Sequence, residues 1–372
     1  MNNILFIIQK EFIQIFRNKT MLPIIFVLPI MQLLILVHAA NYELKNIDIV
    51  VYDKDNSQYS RELISKFEAS PFFNIAARAY SPATVDEYLY ANKAELALVF
   101  PTGFEKDLVT QQKTQLQIQI NAIDGMVAGL ANAYVAAIVN NYNKSILPQI
   151  MPISANGSIK SIQVDESYWY NPELNYKSYM VPGILVLLVT LIGIILSSMN
   201  LVREKELGTI EQINVTPVKK YEFIAGKLFP FLIIGLVELA FGLTIGFLLF
   251  HIPIVGSLFL VFGVAVIYLI LVMGLGLLLS TVSSTQQQTM FVAFFFIMIF
   301  ILMSGLFTDV GNMPDWAKNL NRINPIAYFI KIMRMVLLKG SELRHIKQEV
   351  TTLAIYAICI FSMAVWRYKK RA

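Results

Sequence analysis

Apolar runs separated by short charged stretches set the frame of this chain. Residues 21–40, 179–202, 228–250, 257–279, 290–307 and 350–366 are each predominantly apolar. A helix needs about 20 such residues, with a range of about 17–25, to cross a bilayer, so the pattern predicts six spans. Ahead of the first run, residues 1–20 carry Ile4, Ile8, Phe12, Ile15 and Phe16 on one helical face and Lys10, Gln14, Arg17 and Asn18 on the other. That spacing predicts an amphipathic helix lying in the membrane interface. A secretory signal, with Val37-His38-Ala39 as a loose cleavage site, fits less well, because the segment before the apolar core is too long and too regular for an n-region. Pro23 and Pro29 in the first run remove backbone donors and predict a kink covered by a neighbouring helix.

Residues 41–178 have a different rhythm. Strands are predicted at 47–52, 73–77, 96–100 and 116–121, with helices at 57–69, 84–92 and 103–110 between them and a long helix from Gly125 to about Ile146. Strands alternating with helices imply a small α/β domain. Pro148, Pro152 and Asn156-Gly157 then punctuate a polar return to the membrane. The segment contains no histidine and no cysteine. Asp53 and Asp55 read as a strand-ending turn, since Ca²⁺ would need more oxygen ligands than this loop offers.

Charge gives these segments an orientation. Residues 41–178 hold 11 Lys and Arg against 15 Asp and Glu, net −4, whereas the rest of the chain has 19 against 10, net +9. An acidic insert in a basic membrane frame is the pattern of an extracytoplasmic domain on an inner-membrane anchor. The positive residues flank spans and form no single patch, which disfavours nucleic-acid binding. Apolar residues make up 56% and charged ones 15% of the chain, and the mean hydropathy of +0.59 belongs to a polytopic membrane protein. The single cysteine, Cys359, excludes internal disulfides and cysteine-based metal sites. Both termini are expected in the cytoplasm, the second fixed there by Arg367, Lys369, Lys370 and Arg371. Residues 308–349 conflict with a simple positive-inside count, because seven Lys or Arg lie where the chain should be outside.

The densest charged island is 203–227, REKELGTIEQINVTPVKKYEFIAGK, between the second and third runs. Leu207, Ile210 and Ile213 recur on one helical face. Thr216 is placed to cap a second helix with Pro217 in its first turn. A short helix with an apolar stripe, joined stiffly to two spans, is suited to receive a push from a soluble partner; a solvated loop that only sets topology is the other reading. Two polar residues interrupt the spans. Glu238 would cost about 2.5–3.5 kcal/mol if charged at mid-bilayer, so it is either a substrate contact or a neutral acid bonded across helices. Gln32 reads first as an interhelical hydrogen bond and second as part of a substrate path. No GxxxxGK[ST] phosphate loop is present, so the chain does not hydrolyse ATP alone.

REKELGTIEQINVTP, followed by KKYEFIAGKLFPFLIIGL, closely resembles the cytoplasmic signature of type-2 ABC exporter permeases of the drug-efflux branch. SGLFTDVGNMPDWAKNLNRINPIAYFIKIMRMVLLKG, Ser304 to Gly340, resembles that family's second motif. The resemblance covers the chain nearly end to end. It implies six transmembrane helices with an inserted α/β extracytoplasmic domain, and short re-entrant helices in 308–349 dipping into the outer leaflet with Ile326, Phe329, Ile330, Met333, Val336 and Leu337 as their apolar face. It further implies ATPase coupling through Arg203, Glu204, Glu206, Leu207, Gly208, Thr209, Ile210, Glu211 and Pro217. The implied partners are an ABC ATPase subunit carrying ATP and Mg²⁺, a second permease copy or sister permease, and a periplasmic adaptor. Related permeases tend to carry an amide near Glu238, so this acid is a departure. The expected function is export of a hydrophobic or amphipathic substrate, drug-like or lipid-like, across a bacterial inner membrane. A membrane-anchored sensor or envelope scaffold, with the α/β domain as its binding part, is the alternative from another class; an ATPase reading frame beside this one would favour the exporter.

Overall fold

The computed structural model describes residues 2–19, 21–39, 47–123, 125–150, 170, 175–209, 216, 218–308 and 310–367. They divide into two units, Tyr42–Glu166 and the rest of the chain. The chain opens with α1 (Asn2–Arg17) and α2 (Met21–Ala39), which belong to the second of these.

In the Tyr42–Glu166 unit, β1 (Ile47–Asp53), α3 (Gln58–Glu68), β2 (Phe73–Arg78), α4 (Pro82–Tyr90), β3 (Leu96–Phe100), α5 (Phe104–Thr110), β4 (Gln117–Ile120) and α6 (Gly125–Ile150) follow in order. The sheet order is β2-β1-β3-β4, with β1 parallel to both neighbours and β4 antiparallel to β3. Period-two alternation divides β1 between two cores. Ile47, Ile49 and Val51 pack with Leu63, Ile64 and Phe67 of α3 and Val135 of α6, while Val50 packs with Val85 of α4 and Ala97 of β3. Asp53 accepts from the N–H groups of Asp55 and Asn56 at 3.0 and 2.9 Å and from Ser60 Oγ at 2.6 Å. Asp55 accepts from the N–H groups of Gly103 and Glu105 at 2.7 and 3.0 Å, tying the end of β1 to the start of α5. Desolvation pushes the Asp55 carboxyl up, but its hydrogen bonds from Glu105, Ser57, Gly103 and Phe104 prevail and hold it below its ordinary value. α6 runs to Ile150, past the Pro148 expected to mark its end, and the expected turns at Pro152 and Asn156-Gly157 lie outside the described residues.

The other unit continues with α7 (Tyr176–Leu191), a π-helical turn (Ile192–Leu196) and α8 (Ser197–Glu206), which together form one long helix. α9 (Lys220–Phe250), α10 (Leu258–Val282) and α11 (Gln286–Met303) come next, then the short α12 (Asp315–Asn321), α13 (Pro325–Lys339) and α14 (Leu343–Arg367). Among the described residues, five helices are long and apolar enough to cross a membrane: Tyr176–Glu206, α9, α10, α11 and α14. The described apolar part of α2, Ile25–Ala39, is shorter than these. This is a polytopic, mostly helical membrane protein.

Glycines bring its helices into contact. A methyl group at Gly276 of α10 would sit 2.7 Å from the carbonyl oxygen of Ile194 in the π turn, and one at Gly193 would sit 2.5 Å from Val272. Tyr268 of α10 hydrogen-bonds Thr190 of α7 and stacks on Phe329 of α13, ring centroids 4.3 Å apart. The apolar face expected for α13, Ile326, Phe329, Ile330, Met333, Val336 and Leu337, is buried throughout. Two positive residues of this segment have partners within the protein. Arg334 donates to the carbonyls of Tyr179 and Gly305 at 3.2 and 3.1 Å and lies 3.6 Å from the Tyr179 ring centre, and Lys331 pairs with Glu349 at 2.7 Å. Such internal partners weaken Arg334 and Lys331 as topology signals.

Candidate functional site

The stretch Arg203–Glu206, four charged residues in a row, closes the long second helix, and three of these residues tie it to other helices. Glu204 is buried, and its Oε1 receives Lys227 Nζ of α9 at 2.6 Å and Lys10 Nζ of α1 at 3.0 Å. Lys205 donates to the carbonyls of Ser280 and Ser283 at the end of α10. Glu206 accepts from the backbone and side chain of Gln286, the first residue of α11. One turn of helix is thereby fixed to α1, α9, α10 and α11.

At the centre of this arrangement is a buried ion cluster. Lys227 is 1% exposed and makes three polar contacts: Glu204, Asn200 Oδ1 at 2.9 Å, and an ion pair with Glu11 Oε1 at 3.0 Å. Asn200 Nδ2 in turn donates to Glu11 Oε2 at 3.1 Å. Thr209 Oγ1 donates to the Glu204 carboxylate, so the chain beyond α8 joins the cluster as well. Desolvation lowers the affinity of Lys10 for its proton, yet the hydrogen bonds and charges of Glu204 and Glu11 outweigh it and raise this ammonium above its ordinary value. Two buried carboxylates facing one buried ammonium need the half-exposed Lys10 for balance. The cluster is held by geometry and closely matched charge, since desolvating ions costs more than an imperfect pairing returns.

After Glu206 the helix stops. Leu207 is the C-cap, and Gly208 takes a left-handed conformation, φ 69°, that suits glycine. This differs from the single helix expected to carry Leu207, Ile210 and Ile213 on one face: α8 ends at Glu206, the glycine turn follows the four charged residues, and Ile213 lies outside the described residues. Leu207 is 62% exposed, a large apolar side chain on the turn. Ile210, Glu211 and Pro217 lie outside the described residues. α9 begins at Lys220, and Glu222 accepts from the Lys219 N–H at 2.8 Å; the helix start expected at Thr216-Pro217 falls instead at Lys219.

The family described as "ABC-2 family transporter protein" matches residues 19–366 of this chain. The chain belongs to the ABC-2 transporter family. It is 31% identical over 366 residues to the "Probable multidrug ABC transporter permease YbhR" of Escherichia coli (strain K12), covering 98% of both chains. To "Probable multidrug ABC transporter permease YbhS" of the same organism it is 23% identical over 97% of this chain and 95% of the relative. To the Escherichia coli (strain K12) "Inner membrane transport permease YhhJ" it is 23% identical over 87% and 85%. As an ABC-2 permease it is a transport subunit, and the family implies an ATPase partner and pairing with another permease.

In this ABC-2 permease the expected site residues separate. Arg203, Glu204 and Glu206 lie in the last turn of α8 and Leu207, Gly208 and Thr209 follow it directly, with Leu207 facing out and Glu204 facing in. Glu238 lies on α9, far along the helix from that turn. Both its carboxylate oxygens are buried and without a hydrogen-bond partner among the described residues. Gly235 and Gly242, three residues before and four after it, meet Leu269 of α10 and Leu185 of α7, which places Glu238 along the seam those helices form with α9. Gln32 is half-buried on α2, and no hydrogen bond joins it to Glu238. Glu11, Asn200 and Lys227 were absent from the sequence-derived site. A signal for one of them was present: Glu11 sits four residues before Ile15 and seven after Ile4, an acid on the face of α1 that is otherwise apolar.

Proposed function

We propose that this chain is the membrane-spanning subunit of an ATP-driven exporter that moves a hydrophobic or amphipathic, drug-like or lipid-like substrate out of the cytoplasm or inner leaflet. ATP and Mg²⁺ belong to a separate ATPase chain, which docks on the turn at Leu207-Gly208 and the residues after it, through Ile210, Glu211 and Pro217. The observation that carries this reading is the fixing of the α8 end to α1, α9, α10 and α11 behind an exposed leucine. A push on Leu207 is passed to several spanning helices at once and is not absorbed by a loop. In this role Arg203, Glu204, Glu206 and Thr209 transmit the push, and Leu207 makes the contact. ATP-dependent closure of the ATPase pair shifts the permeases between inward and outward states by differential affinity for the two.

The same reading makes α2 a sixth span and places the Tyr42–Glu166 unit outside a bacterial inner membrane, with both termini and the 203–227 segment in the cytoplasm. It makes 308–349 an external re-entrant segment, the partner permease a second copy or a sister chain, and a periplasmic adaptor a ligand of the external unit. Glu238 and Gln32 mark the substrate path, and the description of two relatives as probable multidrug permeases supports a broad apolar substrate.

The test uses the permease purified with its ATPase. Leu207→Asp places a carboxylate in an apolar contact and is expected to release the ATPase. Gly208→Val forces a β-branched residue into a left-handed conformation and is expected to leave the ATPase bound but to uncouple hydrolysis from transport. In the same assay Glu238→Gln should reduce transport of cationic compounds more than of neutral ones. Normal ATPase binding and export in Leu207→Asp would exclude this turn from coupling.

A further inference from the structure

Between the C-terminal half of α1 and the end of α8 lies a groove of about 720 Å³ whose lining includes Lys10, Arg17, Lys19 and Arg203, with Gln14 and Ile13. Lys10 is already paired with Glu204 and Glu11. Among the described residues, no carboxylate pairs with Arg17, Lys19 or Arg203. Three cations, from α1, the turn after it and α8, therefore converge on one groove with no carboxylate partner of their own among the described residues. Their mutual repulsion is relieved by a ligand carrying concentrated negative charge and several acceptor oxygens, the chemistry of a phosphate. Two of the three are arginines, whose planar forks suit phosphate oxygens.

The surroundings decide where that phosphate comes from. Ile13 and Phe16, on the same stretch of α1, are 49% and 54% exposed, and Leu5 and Phe6 further along it are more exposed still. A helix with such a face lies with its apolar side chains at the acyl boundary and its cations at headgroup depth. Basic grooves between helices at that depth take acidic lipid headgroups. We propose that this groove is a binding site for the phosphate headgroup of an acidic phospholipid, held by Arg17, Lys19 and Arg203, with the acyl chains lying along Ile13 and Phe16. Because Arg203 adjoins Glu204, a bound lipid also braces α1 against the ion cluster.

The experiment measures lipid retention by native mass spectrometry on the full-length protein in neutral detergent. Phosphatidylglycerol, phosphatidylcholine and inorganic phosphate are added in turn. Wild-type protein should retain phosphatidylglycerol in preference to phosphatidylcholine, and millimolar inorganic phosphate should not displace it. The R17Q/K19Q variant, altered at two exposed positions, should melt as wild type without lipid and bind phosphatidylglycerol about 10- to 30-fold more weakly. If that variant does not purify as a single species, Arg203→Gln alone provides the same comparison. Equal retention of both lipids, or undiminished binding in the variants, would overturn the site. Displacement by inorganic phosphate would overturn the lipid source. Loss of ATPase co-purification with lipid binding intact would assign these cations to a protein interface instead.

Discussion

Lys227 shows how strongly one residue here depends on its neighbours. Its ammonium is out of water and is tolerable only because Glu204, Glu11 and Asn200 surround it. Lys227→Met leaves two carboxylates facing each other with Lys10 alone to offset them, and breaking a buried pair typically costs about 3–5 kcal/mol. The variant is expected to melt at clearly lower temperature and to lose monodispersity in detergent. E11Q/K227M should recover part of the loss, because it removes charge of both signs. A wild-type melting curve for Lys227→Met would show that the cluster contributes nothing to the fold. In the sequence Lys227 is one of several positive residues in a short charged island, indistinguishable from a topology marker. What sets it apart is that Glu11, more than two hundred positions earlier, arrives beside it.

Among the elements, the long helix Tyr176–Glu206 and its partner α10 have the least room to adjust. The π turn at Ile192–Leu196 widens the helix by one residue, and Gly276 lets α10 approach the carbonyl of Ile194 there. Gly276→Ala therefore forces the two backbones apart and should cost about 1–3 kcal/mol, the usual range for overpacking. Gly263→Ala on the same helix meets nothing within 4 Å and should be neutral or slightly stabilising. Thermal melts of the two variants side by side give the comparison, and equal melting temperatures would mean that the α10 contact is compliant. A glycine in an apolar run is readable as a point where helices can approach closely. The π turn is not readable, since its five residues, IGIIL, fit an ordinary apolar helix.

For the whole molecule the open quantity is orientation in the membrane. The proposed topology places the Tyr42–Glu166 unit outside and the α8–α9 connection inside. Cys359 is exposed, so labelling requires a Cys359→Ala background. Lys93→Cys serves for the outer unit, because the adjacent Asn92 has φ 52° and a hydrogen bond to Asn121 that a cysteine there would disturb. Lys93→Cys should react with an impermeant thiol reagent on intact cells, and Lys219→Cys only after permeabilisation. The opposite pattern would invert the topology and move the proposed ATPase contact to the wrong side.

Local patterns in the sequence suffice for much of this protein: apolar runs of spanning length, the short apolar or alternating strands of the α/β unit, the amphipathic face of α1 and the charged island after the second run. Each of these depends on residues within one or two turns or strand lengths of one another, which is the range over which periodicity carries information. The same island also carried the family resemblance, since its motif is contiguous. Tertiary structure decided what those elements do to one another. It turned Glu204 inward and left Leu207 outward, although both stand in one short charged stretch. It joined Glu11 to Lys227, converted part of the polar face of α1 into the wall of a basic groove, and gave Arg334 acceptors on α7 and after α11. These are pairings between distant parts of the chain, and their energies come from desolvation and contact geometry, neither of which is written in the spacing of residues along a single helix.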